Sequence, residues 1–155
     1  MSLRPLPCQP QVMPGFTARR GLSHVLFDFD GTLSLIREGW PEVMVGMMTE
    51  EIQAVGGPES AEAIARRCRE FVAELTGKQT IYQMIRLAEE VRRRGGAPLD
   101  PLQYKERYHG RLMDRIRARR ESLRTGAARP EDFLVAGALD MLAAVRDRGM
   151  PKYLA

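Results

Sequence analysis

The feature that most constrains the fold of this chain is the stretch of residues 25–33, which reads VLFDFDGTL. Its first five residues are apolar apart from Asp28, a pattern typical of a central strand in a parallel sheet that is covered on both faces. A second carboxylate, Asp30, follows, and Gly31 then allows the chain to change direction. In open α/β sheets, functional side chains gather just beyond the carboxyl ends of the strands. The sequence therefore predicts a strand over residues 25–29 with functional carboxylates at its end.

The local pattern also supports a second interpretation. The dipeptide Asp30-Gly31 lies between apolar residues that alternate along the chain, and such a dipeptide is a strong signal for a type I′ β-hairpin. Periodicity alone does not separate a hairpin from the end of a parallel strand here.

The residues DFDGTL at positions 28–33, placed directly after an apolar strand, resemble the first motif of the haloacid dehalogenase-like superfamily. Most members of that superfamily are Mg²⁺-dependent phosphatases that form an aspartyl-phosphate. The resemblance favours the strand end over the hairpin. The elements that follow are similar in order to those of members with a helical cap directly after the first motif, such as phosphoglycolate phosphatases and β-phosphoglucomutases.

The resemblance implies a role for each polar residue of the motif. Asp28 would be the nucleophile and a metal ligand, and Asp30 would be the general acid and then the general base, with its backbone carbonyl also on the metal. A carboxylate acceptor divides hydrolysis into two transfers, and Mg²⁺ reduces the repulsion between the carboxylate and the phosphate. Gly31 and Thr32 would lie against the substrate, Gly31 through its bare backbone and Thr32 as an orienting hydroxyl. The plainer alternative for both aspartates is a solvated turn.

The predicted organisation is a small core interrupted by a large helical insertion. Residues 1–21 are rich in proline and are expected to form a flexible leader. Residues 22–36 and 125–155 are predicted to form part of a Rossmann-like core, namely its first strand and the start of its second. Residues 37–124 are predicted to form the helical cap. The expected fold class is α/β, mostly helical over the length given.

Five segments show helical periodicity, and the fourth has the clearest start. Asp100 is a candidate N-cap, Pro101 suits the first helical position, and Gln103 can complete a capping box. The predicted apolar stripes, in chain order, are Met44, Met48, Ile52 and Val55; Ile64, Cys68, Phe71, Val72 and Leu75; Ile81, Met84, Ile85, Ala88 and Val91; Tyr104, Tyr108, Leu112, Ile116 and Leu123; and Leu139, Leu142, Ala143 and Val145.

Several charged residues outside the motif are further candidates. Lys78, in the loop at the middle of the cap, and Arg37, at the hinge between core and cap, are candidate substrate contacts, although a solvated loop lysine and a surface arginine are the plainer interpretations. The acidic pairs Glu50-Glu51 and Glu89-Glu90 are predicted to be solvated helix faces. The same solvated interpretation is favoured over nucleic-acid binding for the basic cluster formed by Arg115, Arg117, Arg119 and Arg120.

Composition excludes some classes of partner. The 155 residues are 44% hydrophobic and 28% charged with a formal net charge of +4, which is typical of a globular protein and does not by itself imply nucleic acid. Neither of the two cysteines has metal or redox spacing, and no apolar run approaches a membrane span or a signal peptide. We therefore expect a cytoplasmic protein whose partner is a small phosphorylated substrate, and not nucleic acid or a membrane. The sequence does not define the oligomeric state.

The expected activity is that of a Mg²⁺-dependent phosphatase acting on a small phosphorylated metabolite, such as a sugar phosphate. The superfamily needs three further motifs: a Ser or Thr, a Lys or Arg, and a late acidic pair. None of them is found in this sequence, so we expect an N-terminal part of such an enzyme that is inactive alone. The alternatives are a phosphomutase of the same architecture and a non-catalytic helical interaction module.

Overall fold

A computed structural model of the chain describes residues 13–17 and 21–155, which divide into two compact units. The helical unit is Arg37–Ala128. The sheet unit contains the described residues up to Ile36 together with Arg129–Ala155. The sequence-based division had its boundaries after residues 36 and 124. The predicted leader, residues 1–21, lies mostly outside the described residues.

The described residues are mostly helical, with two parallel strands, which confirms the α-rich character predicted from the periodicity. Within this part of the chain, no helix combines the length and the apolar character that crossing a membrane would require. The helices are α1 (Trp40–Gln53), α2 (Ala61–Glu74), α3 (Thr80–Arg93), α4 (Pro101–Thr125) and α5 (Ala138–Asp147), and the strands are β1 (Val25–Phe27) and β2 (Lys152–Leu154).

Helix α4 begins where the sequence predicted, because side chains at both ends of its first turn accept hydrogen bonds from backbone N–H groups. The carboxylate of Asp100 accepts a hydrogen bond from the backbone N–H of Leu102 at 2.8 Å. The side chain of Gln103 accepts one from the backbone N–H of Asp100 at 3.1 Å. Pro101 occupies the first helical position, where its missing N–H costs nothing. This capping box is therefore confirmed.

The core of the helical unit is assembled from all four of its helices, and α1 packs against each of the other three. The stripe predicted for α3 is partly wrong, because Ile85 is exposed and Leu87 is buried in its place. Leu87 is three residues after Met84, on the same face of the helix, whereas Ile85 is rotated away from that face by one residue. The buried apolar residues are Met44, Val45, Met47, Met48, Ile52, Ile64, Cys68, Phe71, Val72, Met84, Leu87, Ala88, Val91, Tyr104, Tyr108, Leu112 and Ile116.

The sheet of the other unit contains β1 and β2, which pair in parallel with Val25 opposite Lys152 and Phe27 opposite Leu154. This pairing excludes the hairpin, in which the partner of β1 would be the chain directly after Gly31. The parallel strand is thus the correct interpretation of the local pattern.

Three further predictions about this region are wrong. Strand β1 ends at Phe27, so Asp28 and Phe29 lie beyond the strand instead of inside it. Leu26 is exposed, because two strands of three residues have too few neighbours to cover either face of the sheet. Leu139, predicted to lie on the apolar stripe of α5, is exposed as well, whereas Val145 of the same stripe is buried as predicted and Ala138 is buried in addition.

Candidate functional site

The chain closes into a tight turn directly after β1. The carbonyl of Phe29 accepts hydrogen bonds from the N–H groups of Leu33 at 3.0 Å and Ser34 at 2.9 Å. The N–H of Gly31 donates to the carbonyl of Ser34 at 2.9 Å. Gly31 has a φ of +76°, a left-handed conformation that side-chain-bearing residues rarely adopt. The turn therefore requires glycine at the position that the motif provides, and it holds both aspartates within one short loop.

Backbone hydrogen bonds attach this turn to the segment that follows the 3-10 helix Pro130–Phe133. The N–H of Leu35 donates to the carbonyl of Phe133 at 2.7 Å, and the N–H of Val135 donates to the carbonyl of Leu33 at 3.0 Å. Ser34, between these two bonds, is buried, and its hydroxyl accepts from the N–H of Ile36 at 3.2 Å. Ser34 was not singled out in the sequence analysis. Its position between two leucines was the only signal of burial.

The side chains of the turn give Asp28 a neighbouring hydroxyl. Thr32 Oγ1 donates to Asp28 Oδ2 at 3.5 Å, the long limit of a hydrogen bond. The Asp28 side chain is exposed, while Asp30 is half-buried with its Oδ1 atom shielded from solvent. An exposed carboxylate beside a hydroxyl can approach an external electrophile, and the second carboxylate lies two residues away in the same turn.

The donor set of the turn is suitable for a hard cation but small. Mg²⁺ prefers oxygen ligands and commonly takes one or two protein carboxylates, with water and substrate phosphate completing its shell. Asp28 and Asp30 provide that minimum. Across residues 13–17 and 21–155, no group of three or more His, Cys, Asp or Glu side chains is placed to hold a metal ion. The described residues thus fit a cation shared with a phosphorylated ligand and do not form an all-protein metal site.

Arg37 and Lys78, the two candidate substrate contacts outside the motif, belong to the helical unit. Lys78 is exposed in the loop between α2 and α3, and its backbone N–H donates to the carbonyl of Leu75 at 3.1 Å. Arg37 is half-buried directly before α1, and its carbonyl accepts from the N–H of Trp40 at 3.2 Å. The turn after β1 therefore holds four of the predicted site residues, Asp28, Asp30, Gly31 and Thr32, within one short loop.

The prediction that the acidic pair Glu89-Glu90 forms a solvated helix face is wrong for Glu90, because only Glu89 is solvated. Glu90 is 1% exposed, and each of its carboxylate oxygens meets two guanidinium groups. Oε2 accepts from Arg94 Nη1 at 2.7 Å and from Arg67 Nε at 3.1 Å. Oε1 contacts Arg86 Nη2 and Arg93 Nη1, both at 3.2 Å. We call Glu90 and these four arginines the arginine cluster.

Burial and charge act in opposite directions on Glu90. Burial alone would raise the pKa of its carboxyl group, but the hydrogen bond from Arg94 and the charges of the other three arginines outweigh burial and lower the pKa. The sequence contained a signal that was missed. Three arginines lie four residues before, three after and four after Glu90, which places them on the same face of one helix.

The basic residues of α4 are largely solvated, as expected. Arg117 is exposed and forms an ion pair with Asp114 on its own helix, and Arg119 Nη1 donates to the carbonyl of Glu38 at 2.8 Å. Both arginines thus have partners within the helical unit itself.

Comparison with known proteins adds no relative. No family model matches the chain, and neither a curated protein nor a solved structure was found that matches it. The resemblance to a phosphatase superfamily therefore stays a prediction from the residues of the motif.

Proposed function

We propose that this chain carries the nucleophile and the acid–base group of a Mg²⁺-dependent phosphatase that acts on a small phosphorylated metabolite. The observation that carries the proposal is one turn, placed directly after a parallel strand, that holds Asp28 and Asp30 with the Thr32 hydroxyl 3.5 Å from Asp28. The conformation of Gly31 supports the same assignment, because it keeps the backbone free of a Cβ at the point where a phosphate would approach. We assign the β1–β2 pair to a Rossmann-like core and the helical unit to a cap.

The proposed reaction proceeds in two transfers. In the first, a carboxylate oxygen of Asp28 forms a bond to phosphorus, the bond from phosphorus to the ester oxygen breaks, and Asp30 gives its proton to the leaving alcohol. In the second, Asp30 takes a proton from water, the water oxygen bonds to phosphorus, and the acyl-phosphate bond to Asp28 breaks. Thr32 orients the Asp28 carboxylate for the first step. A bound Mg²⁺ held by Asp28 and Asp30 would offset the negative charge of the phosphoryl group.

The proposed enzyme is cytoplasmic and binds a small substrate. Cys68 is a buried free thiol, which suits a reducing compartment. The exposed loop around Lys78 is the part of the proposed cap that we assign to substrate recognition, with Arg37 as a second basic group.

The test is covalent phosphorylation measured on the product of the complete gene. We expect incubation with a reactive acyl phosphate and Mg²⁺ to label Asp28, and we expect the label to be released by hydroxylamine. Asp28→Asn should abolish the label and reduce turnover of an aryl phosphate by orders of magnitude, because the covalent route is closed. Asp30→Asn should still be labelled but should lose the label more slowly.

Asp132→Asn is the matched control, because Asp132 is an exposed aspartate of the same unit and lies outside the turn. Its labelling and turnover should equal those of the wild type. Normal activity in Asp28→Asn would contradict the proposal. It would favour the second candidate, a non-catalytic helical module, which is supported by the extensive core of the helical unit.

A further inference from the structure

We propose that the arginine cluster is a binding site for a phosphate-like oxyanion on the helical unit. The inference does not depend on the proposed phosphatase activity, because it rests on residues of the helical unit alone. Its ligand class is inorganic phosphate or the phosphoryl group of a small monoester.

The first argument is convergence. Arg67 on α2 and Arg93 on α3 both contact the buried carboxylate of Glu90, at 3.1 Å and 3.2 Å. Because both contacts end on one carboxylate, the two guanidinium groups are held close together although they come from different helices. Bringing like charges together is unfavourable unless an anion lies near both. Glu90 supplies one anionic charge for them, and it also has to serve Arg86 and Arg94.

The second argument is the balance of charge. Arg94 is saturated by acids, since it donates to Glu59 Oε2 through Nε at 2.8 Å and Nη2 at 2.5 Å and also to Glu90. Arg86 contacts Glu89 as well as Glu90. Four arginines thus face three glutamates, which leaves one positive charge in excess with every carboxylate ionised. Glu90 is the acidic partner of Arg67 and of Arg93 within the described residues. The excess charge is therefore assigned to these two side chains.

The third argument is access. Glu90 itself is covered, but the side chains around it are open to solvent, with exposures of 41% for Arg67, 38% for Arg86 and 60% for Arg93. A guanidinium carries five N–H donors in a planar fork that matches the oxygens of a phosphate. Arg67 contributes its Nε–H to Glu90 and Arg93 contributes a donor on Nη1. The remaining donors can bind an incoming anion while Glu90 fixes the two forks in place.

The site is separate from the loop assigned to substrate recognition. Glu90 is ten residues beyond Thr80, the start of α3, which corresponds to roughly 15 Å along the helix axis. Lys78 precedes that start. The two basic features therefore lie at opposite ends of α3, and a ligand as small as phosphate cannot contact both.

The experiment measures binding of inorganic phosphate to the 155-residue chain without Mg²⁺ and in the presence of a chelator. Titration is followed by calorimetry and by the NMR signals of the arginine Nε–H groups, with sodium chloride of matched ionic strength as the reference. We expect saturable binding and selective shifts of the Arg67 and Arg93 signals. A second titration with glycerol phosphate distinguishes the sources of the ligand. Equal binding assigns the site to phosphoryl groups in general, and weaker binding assigns it to free phosphate.

The test variant combines Arg67→Gln with Arg93→Gln, which leaves Glu90 paired with Arg86 and Arg94. We expect phosphate affinity to fall by about tenfold or more, as the loss of charged hydrogen bonds predicts. The matched control combines Arg117→Gln with Arg124→Gln, which removes the same charge from exposed ion pairs on α4 and should retain wild-type affinity.

Three outcomes would overturn the inference: no saturable binding to the wild type, an equal loss of affinity in the control, or NMR shifts that spare Arg67 and Arg93. The NMR result on the wild type decides the matter even if the double variant does not fold.

Discussion

The helical unit and the sheet unit differ in how their residues are held in place. In the helical unit, four helices bury one another's apolar stripes around a shared core that includes Met48, Met84 and Leu112. In the sheet unit, the described residues bury few side chains, and Leu26 and Tyr153 on its two strands are exposed. The turn that carries the candidate catalytic aspartates is held by backbone hydrogen bonds. The arginine cluster is held by ion pairs to Glu90, which is 1% exposed. Stability and the proposed chemistry are therefore located in different units.

The largest expected effect is a matched pair of leucine substitutions, one in each unit. Leu112 is 0% exposed in α4 and Leu139 is 52% exposed in α5. Leu112→Ala should lower the free energy of unfolding by about 2–5 kcal/mol, since it leaves a cavity in a packed core. Leu139→Ala should change it by less than about 0.5 kcal/mol. Urea unfolding followed by helical circular dichroism measures both. Equal effects would show that the two units do not differ as described.

Glu90→Gln tests whether the buried carboxylate stabilises the helical unit. The variant removes the charge that four arginines share, and we expect a loss of about 1.5–3 kcal/mol, the value of hydrogen bonds to a charged group. The loss stays at this level because three of the arginines can turn toward solvent. The control is Glu89→Gln, an exposed neighbour with one arginine partner, which should lose no more than about 0.5 kcal/mol.

The same pair of variants gives a sign for the pH dependence. The pKa of Glu90 is lowered from its ordinary value of 4.5, so its contribution is complete above pH 4.5 and is lost as the pH falls through the lowered pKa. The difference in stability between wild type and Glu90→Gln should therefore be constant near neutral pH and should shrink in acid. A difference that grows on acidification would mean that the carboxylate is not stabilised in its ionised form.

Sequence patterns predicted the helical unit well where local chemistry decides the structure. Asp100, Pro101 and Gln103 fix the start of α4 by contacts within four residues, which a linear sequence displays directly. The sequence could not predict that Leu87 is buried and Ile85 is exposed. Both residues fit a helical stripe, and the neighbouring helices decide which one is covered. The burial of Glu90 likewise depends on Arg67, twenty-three residues away on another helix.

In the sheet unit, the sequence predicted the parallel strand and the turn but not their extent. Gly31 marks the turn because its left-handed conformation is a local requirement. The end of β1 at Phe27 depends on how far β2 extends, which residues 25–29 cannot reveal. The burial of Ser34 depends on the segment that contains Leu134, about one hundred residues later in the chain.

The third prediction compares the N-cap residue of α4 with a core residue of the same helix. Asp100→Ala removes the side-chain acceptor at the start of α4 and should lower the free energy of unfolding by about 0.5–2 kcal/mol. This is less than the loss for Leu112→Ala on the same helix. The N-cap substitution removes one side-chain hydrogen bond, whereas the leucine substitution leaves a cavity in the core. Asp100→Asn, which keeps an oxygen acceptor, is the control and should recover most of the loss. If Asp100→Asn were as damaging as Asp100→Ala, the capping hydrogen bond would not be the cause.

The smallest expected effect is at Asp132, a side-chain acceptor at the start of the 3-10 helix in the sheet unit. Its carboxylate accepts from the backbone N–H of Arg129 at 3.0 Å, and that bond, together with the Arg129 side chain, lowers its pKa. Both aspartates are solvent-exposed, but Asp132 is the third residue of a single 3-10 turn, whereas Asp100 is the N-cap of a 25-residue helix. We expect Asp132→Ala to leave the melting curve of the helical signal within the scatter of replicate measurements. The same substitution at Asp100 should shift that curve measurably. A shift at Asp132 as large as the one at Asp100 would mean that the sheet unit contributes to the same cooperative transition as the helical unit, and the contrast between the two units would then be one of packing alone.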